Sequence, residues 1–327
     1  MNKYDPFDLM SFTYDRCFIC GDLLDGENYT QEHIYPKWLQ RQYNLWNQKL
    51  VLLNESSIKY RNLTIPCCRN CNNILSNEIE KPIKEASERG YSEFVKLDHD
   101  IIFKWLNKLS YGMLFKELSL KVDMSNNFSN SIYTPEMLKL HQMQFCFLKS
   151  IINKSEYIIK PYSVLVFKVK ATSKKQYWAS DNIFTKTFFM NFNDIGIIAH
   201  LMDNGSQEEY FMNYNEMAEL LTKELHPIQF RELCAKFLYK SSLFKRDPFY
   251  TLLYDNDGGI KTIISQNISW IEYDEWNQEM YAKVLANYLH AWGISFPDIY
   301  VDENHVMSWL RNEDNSFKVI IDDNILE

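Results

Sequence analysis

Two Cys-x-x-Cys hooks offer the clearest chemistry in the chain: Cys17-Phe18-Ile19-Cys20 and Cys68-Arg69-Asn70-Cys71. Forty-seven residues separate Cys20 from Cys68. Two such hooks supply four thiolates, the ligand set of a closed structural zinc site. The two-residue spacer lets both sulfurs of a hook reach one ion, and Gly21 directly after the first hook eases a tight turn. Cys67 sits one residue outside the second hook and offers a second pairing, Cys67 with Cys71. Cys146 and Cys234 stand alone in apolar helical contexts and read as buried small hydrophobes.

Zinc alone describes a metal-stapled module. The residues between and after the hooks add Glu32-His33-Ile34-Tyr35-Pro36, then Asn62-Leu63-Thr64-Ile65-Pro66 running into the second hook, then Asn72-Asn73. This order resembles the HNH endonuclease family in its four-cysteine, zinc-containing branch. The resemblance covers roughly residues 15–85, about a fifth of the chain. It implies a small N-terminal zinc-stapled ββα-metal unit, treble-clef-like; the chain as a whole reads as α+β, with a larger mixed α+β region after that unit. The resemblance implies Cys17, Cys20, Cys68 and Cys71 as structural zinc ligands. By position, His33 matches the general base and Asn62 the Asn that holds that His by hydrogen bonding. Glu32 matches the acidic ligand of a catalytic Mg²⁺ or Mn²⁺, where Asp is more usual, and Asn72 matches the second ligand. Asn73 is the alternative to Asn72. Glu78 and Glu80 follow on the same helix, as further ligands or as solvated helix charges.

The chemistry implied is metal-dependent hydrolysis of phosphodiester bonds in DNA. A neutral imidazole, with an ordinary pKa of about 6.5, can take the proton of an attacking water near neutral pH. Such a base typically contributes about 10²–10⁴-fold. A divalent ion on the phosphate oxygens adds Lewis-acid help and stabilises the departing oxygen. A carboxylate and an amide oxygen suit Mg²⁺ or Mn²⁺ better than zinc. Two competing expectations stand beside this one. One is a non-catalytic zinc module for protein or nucleic-acid binding; the other is the same nuclease acting on RNA.

The whole chain fits this frame. Its 327 residues are 46% hydrophobic and 24% charged, the balance of a globular protein and not of a disordered one. No run of 18 apolar residues is present, and the first residues lack an apolar signal core. A reducing cytoplasm is therefore expected, with no membrane partner. There the cysteines are thiols or metal ligands, not a disulfide framework. The net charge of −8 argues against indiscriminate coating of nucleic acid. Residues 1–90 are nearly balanced, with 11 basic and 12 acidic side chains, so the acidic excess lies in the remainder. Lys37, Arg41, Lys59, Arg61 and Arg69 flank the candidate site. Two further basic stretches carry aromatics: Lys168, Lys170, Lys174 and Lys175 with Tyr177 and Trp178, and Arg231 through Arg246.

The elements follow from periodicity. Residues 27–66 read as short extended pieces, with candidate strands at 51–53 and 62–65 and a polar insertion over 39–60. Helices are expected over 72–89, broken at Pro82, and over 100–120 and 134–153. Strands are expected at 162–169, 188–192 and 195–201, with Asp203-Asn204-Gly205-Ser206 turning into another at 210–212. Helices at 214–224, 227–243 and 275–291 enclose a β stretch at 249–272. A boundary is placed near residue 90, giving a nuclease unit at 1–90 and a region at 91–327 for target recognition, regulation, a protein partner or self-association. A small nuclease unit joined to an unrelated region suits a restriction or antiphage effector by analogy. His99, His141, His200, His226, His290 and His305 show no ligand spacing and read as structural.

Overall fold

The computed structural model describes residues 4–9, 12–120, 141–171, 177–213, 215–265 and 272–320. The chain is α+β and divides into two compact units. Unit 1 comprises Met1–Arg89, Lys96–Lys160 and Phe249–Gln266; unit 2 comprises Gly90–Val95, Pro161–Pro248 and Asn267–Glu327. The chain thus leaves the first unit at residue 90 but returns to it twice, because the N-terminal elements share a core with later helices.

In unit 1, strand β1 (Tyr29–His33) and strand β4 (Thr64–Cys68) pair antiparallel, with Glu32 opposite Ile65 and His33 opposite Thr64. Between them, β2 (Lys49–Val51) and β3 (Ser57–Lys59) form a separate small hairpin inside the insertion. The second hook ends β4 and opens the helix Arg69–Ile74, whose N-cap is Cys68. That helix runs through a π turn at Leu75–Glu80 into Lys81–Glu88. Pro82 causes the irregularity: it has no N–H to offer the preceding turn, and its ring needs the space of an ordinary helical carbonyl. The expected break at Pro82 is therefore a widened turn, not a stop.

The helix His99–Leu118 is the central element of this unit. Trp105, Leu106, Leu109 and Leu114 are buried, and so are Asn107 and Lys108 between them. Gly112 lets it approach the residue after β1 and strand β4 closely, since a Cβ there would meet Ile34 at 3.2 Å and Ile65 at 3.4 Å. Its other side packs on the helix Gln142–Asn153, with the Phe103 and Phe147 rings 5.6 Å apart edge to face. The expected start of that second helix, 134–140, lies outside the described residues. Strands β5 (Glu156–Ile158), β11 (Tyr250–Tyr254) and β12 (Ile260–Ser265) make a three-stranded sheet in the order β11-β12-β5.

Unit 2 is built on a five-stranded sheet in the order β10-β6-β9-β8-β7: Glu224–Leu225, Ser163–Val169, Ile195–His200, Thr187–Phe192 and Tyr177–Asn182. Phe167, Phe189 and Ile198 of the sheet pack with Phe230, Leu233 and Phe237 of the helix Pro227–Ser242. The helix Gln278–Leu289 covers the opposite flank of that helix through Tyr281, Ala282 and Leu285. One expectation fails here. Asp203-Asn204-Gly205-Ser206 leads into the helix Ser206–Asn213, not into a strand at 210–212. The Asp203 carboxylate accepts from the backbone N–H groups of Gly205 and Gln207, at 3.1 and 2.8 Å, and so starts a helix where a hairpin turn was expected. Cys146 and Cys234 are buried, as their contexts indicate.

Candidate metal centre and its surroundings

The sulfurs of Cys17, Cys20, Cys68 and Cys71 lie within 4.8 Å of one another. Among the described residues this is the one group of three or more His, Cys, Asp or Glu side chains close enough to share an ion. The first hook is shaped by its own backbone: Cys17 N–H bonds to Asp22 O at 2.9 Å and Gly21 N–H to Cys17 O at 3.0 Å. Gly21 has φ +80° and lies against the Tyr4 ring, where a Cβ would stand 2.0 Å from a ring carbon. Phe18 N–H bonds to Pro66 O at 2.9 Å, which docks the first hook on β4 beside the second. In the second hook Cys71 N–H points at Cys68 Sγ, 3.4 Å away.

Four thiols at such range cannot ionise independently. Hydrogen bonds from Cys20, Cys67 and Cys71 drive the Cys17 thiol far down, while Cys17 drives Cys20 and Cys71 up. A divalent soft ion resolves this conflict by replacing the shared protons. The donor set fits zinc. Cys67 belongs to β4, is fully buried and hydrogen-bonds Cys17, but is not one of the four converging sulfurs.

The cluster joins the first hook to the end of β4 and to the helix Arg69–Ile74, and β1 is paired with β4 beside it. Alternation along the strand sends Thr30 and Glu32 to one face and Gln31 and His33 to the other. Asn72, from the helix, donates through Nδ2 to Thr30 Oγ1 at 3.0 Å, so it stands on the Glu32 side. Thr30 in turn donates to Cys67 O at 2.8 Å. Asn73 is exposed.

Glu32 is buried and ion-paired with Lys108, whose side chain is fully buried. The same ammonium meets Glu80 Oε1 at 2.8 Å and donates to the carbonyl oxygens of His33 and Ile34 at 2.7 and 3.0 Å. Burial works against the charge on Lys108, but the two carboxylates outweigh it and raise its pKa to about 12. Burial, with the nearby Glu80, raises Glu32 to about 7 despite Lys108. Glu32 thus shares the one ammonium with Glu80, and burial works against its charge.

His33 is half-buried. Its Nδ1 is buried without a hydrogen-bond partner, and its ring lies 6.1 Å from the Trp46 ring of the insertion. Burial, then the positive charges of Lys37 and Lys108, lowers its pKa to about 4, so the imidazole is neutral at pH 7. Asn62 ends a 3₁₀ turn at Tyr60–Asn62, is exposed, and makes no hydrogen bond to His33. Lys108 holds the His33 backbone instead. Glu78 faces outward in an ion pair with Lys154 at 3.5 Å.

Compared with models of known protein families, with curated proteins and with solved structures, the chain matches none.

Lys108 and Trp46 are the neighbours that sequence reasoning missed; Glu80, named there as a further ligand or a solvated charge, is instead paired with Lys108. Lys108 follows Trp105 and Leu106 in an amphipathic pattern, and a Lys in that setting is ordinarily a solvated face. The two distant basic stretches are largely engaged within unit 2. Lys168 pairs with Glu224 at 2.8 Å, and Lys174 and Lys175 lie outside the described residues. The Arg231 guanidinium lies 3.2 Å over the Trp178 ring, and burial lowers its pKa to about 9. Lys240 sits over the Tyr273 and Tyr210 rings at 3.6 and 4.2 Å. Among the described residues, no helix is long and apolar enough to cross a membrane.

Proposed function

We propose that unit 1 carries an endonuclease site of HNH type that hydrolyses phosphodiester bonds in DNA. The carrying observation is the four-thiol cluster at the junction of β4 and the helix Arg69–Ile74, with β1 paired to β4, Glu32 and Asn72 on one face and a neutral His33 at the strand end. His33 takes the proton of the attacking water. The ring is neutral at pH 7, the form that can accept a proton, and Lys108 steadies its backbone through the carbonyl.

Glu32 and Asn72 would hold the hard cation. The donors support this choice: Glu32 and Glu80 carry one negative charge more than Lys108 neutralises, and Asn72 spends its Nδ2 on Thr30, which leaves its carbonyl oxygen for another partner. Mg²⁺ or Mn²⁺ there supplies charge neutralisation at the phosphate. The test is plasmid DNA incubated with the protein across a series of divalent ions. Nicked or linear product with Mg²⁺ or Mn²⁺ supports the reading; intact DNA under every ion overturns it.

A second reading has its own support. Lys108 already holds Glu32, and Glu32 and His33 leave the strand on opposite faces. A zinc module that binds a partner without catalysis needs nothing more from these residues. A role in antiphage defence or restriction is a biological setting for the first reading, and challenge of expressing cells with phage tests it.

A further inference from the structure

We infer that residues 37–61, the insertion between the His33 strand and the second hook, form a nucleic-acid grip that holds the phosphate backbone beside His33. The inference deepens the nuclease reading and takes from it only the choice of polyanion.

Charge is the first argument. Residues 37–61 contain five basic side chains, Lys37, Arg41, Lys49, Lys59 and Arg61, against the single acid Glu55. This net +4 sits in a chain of net −8. Elsewhere several lysines are paired with carboxylates: Lys84 with Glu88, Lys104 with Asp100, Lys223 with Glu219, Lys283 with Glu279. Among the described residues, none of the five basic groups of the insertion has such a partner.

Register is the second argument. Lys49 lies directly opposite Lys59 across the β2–β3 hairpin, so two ammonium groups project from one face. Like charges directly opposite each other destabilise a strand pair. A bridging anion turns the same pair into a binding element.

Position is the third argument. The Arg41 guanidinium lies 5.7 Å over the Trp46 ring, and Trp46 neighbours His33. Arg61 donates to Asn47 beside Trp46. The platform is anchored: Leu52 is buried, and Leu53 N–H reaches Glu117 Oε1 at 3.4 Å on the central helix. Cations interleaved with a tryptophan suit phosphate tracking with base stacking better than they suit an acidic protein surface.

The test compares the wild-type chain with the triple variant Lys49→Gln/Lys59→Gln/Arg61→Gln. Binding of a labelled DNA duplex and its single strand is followed by fluorescence anisotropy, without added Mg²⁺ or Mn²⁺, over a salt series. Zinc content and thermal midpoint confirm that the variant is folded. The wild type is expected to show the linear salt dependence of phosphate binding. The variant is expected to lose roughly 0.9 from the slope of log K against log salt for each contact removed, and at least about tenfold in affinity at low salt. An unchanged slope in the folded variant overturns the grip. So does a wild type that binds neither form of DNA, or that prefers polyglutamate. If the wild type binds with the expected slope, loses it in the variant, and never cleaves, the grip stands and the hydrolytic reading falls. If the wild type cleaves while the variant binds unchanged, the reverse holds.

Discussion

Lys108 brings its ammonium to 2.7 Å from the carbonyl oxygen of His33, across 75 positions of sequence. The contact couples the candidate base to the central helix of its unit, and the same ammonium ties Glu32 to Glu80. Substitution Lys108→Met keeps the volume but leaves Glu32 and Glu80 without their cation. Breaking a buried pair in this way costs about 3–5 kcal/mol. Urea denaturation should show that loss, and Lys108→Met/Glu32→Gln should recover a substantial part of it. A single variant as stable as wild type would show that the ammonium is not needed there.

Zinc content is expected to be one ion per chain. Serine at Cys17, Cys20, Cys68 or Cys71 should each lower it sharply and unfold the β1–β4 pair. Serine at Cys67 should leave it nearly unchanged, because that sulfur lies outside the converging four. Elemental analysis of the five variants decides this, and equal zinc loss at Cys67 contradicts the assignment.

How far these features could be read in advance depends on their range. The hooks were legible because their chemistry is local: two residues of spacing place two sulfurs on one ion. The strand at β1 was legible only as an extended piece, because its pairing with β4 joins positions such as Thr30 and Cys67 that no local spacing connects. Lys108 was not legible at all. Its neighbours Trp105 and Leu109 mark a buried stripe, and only the arrival of Glu32 and Glu80 from distant positions explains a charge beside it. Asp203 misled for the opposite reason. A short polar run suits a hairpin turn, yet the same carboxylate caps a helix when the following residues can wind.

His33 should titrate far below an exposed histidine, with a midpoint near pH 4 in zinc-loaded protein without added Mg²⁺. The imidazole ring proton followed by NMR over pH 3–8 measures it. The sign is fixed by burial: the folded pKa lies below the unfolded one, so stability is intact above about pH 6.5 and is lost as pH falls toward 4. His33→Gln should remove that part of the acid sensitivity. A midpoint near 6.5 would contradict the closed environment around the ring.

Unit 2 carries a similar acid sensitivity at His200. The ring is fully buried, accepts from Met202 N–H at 3.1 Å, and is held well below the usual histidine range by burial and by Lys186. Stability therefore declines below about pH 6.5, at no more than about 1.4 kcal/mol per pH unit. His200→Asn keeps a side-chain acceptor and should flatten this slope in denaturant titrations at pH 7 and pH 5. An unchanged slope would assign the sensitivity elsewhere.

The most direct measurement of the central claim sets wild type beside His33→Ala in plasmid cleavage with Mg²⁺ or Mn²⁺, with zinc measured in both preparations. The account expects cleavage by the wild type, a loss of about 10²–10⁴-fold in the variant, and equal zinc in the two. A zinc-loaded His33→Ala variant that cuts as fast as the wild type would contradict it.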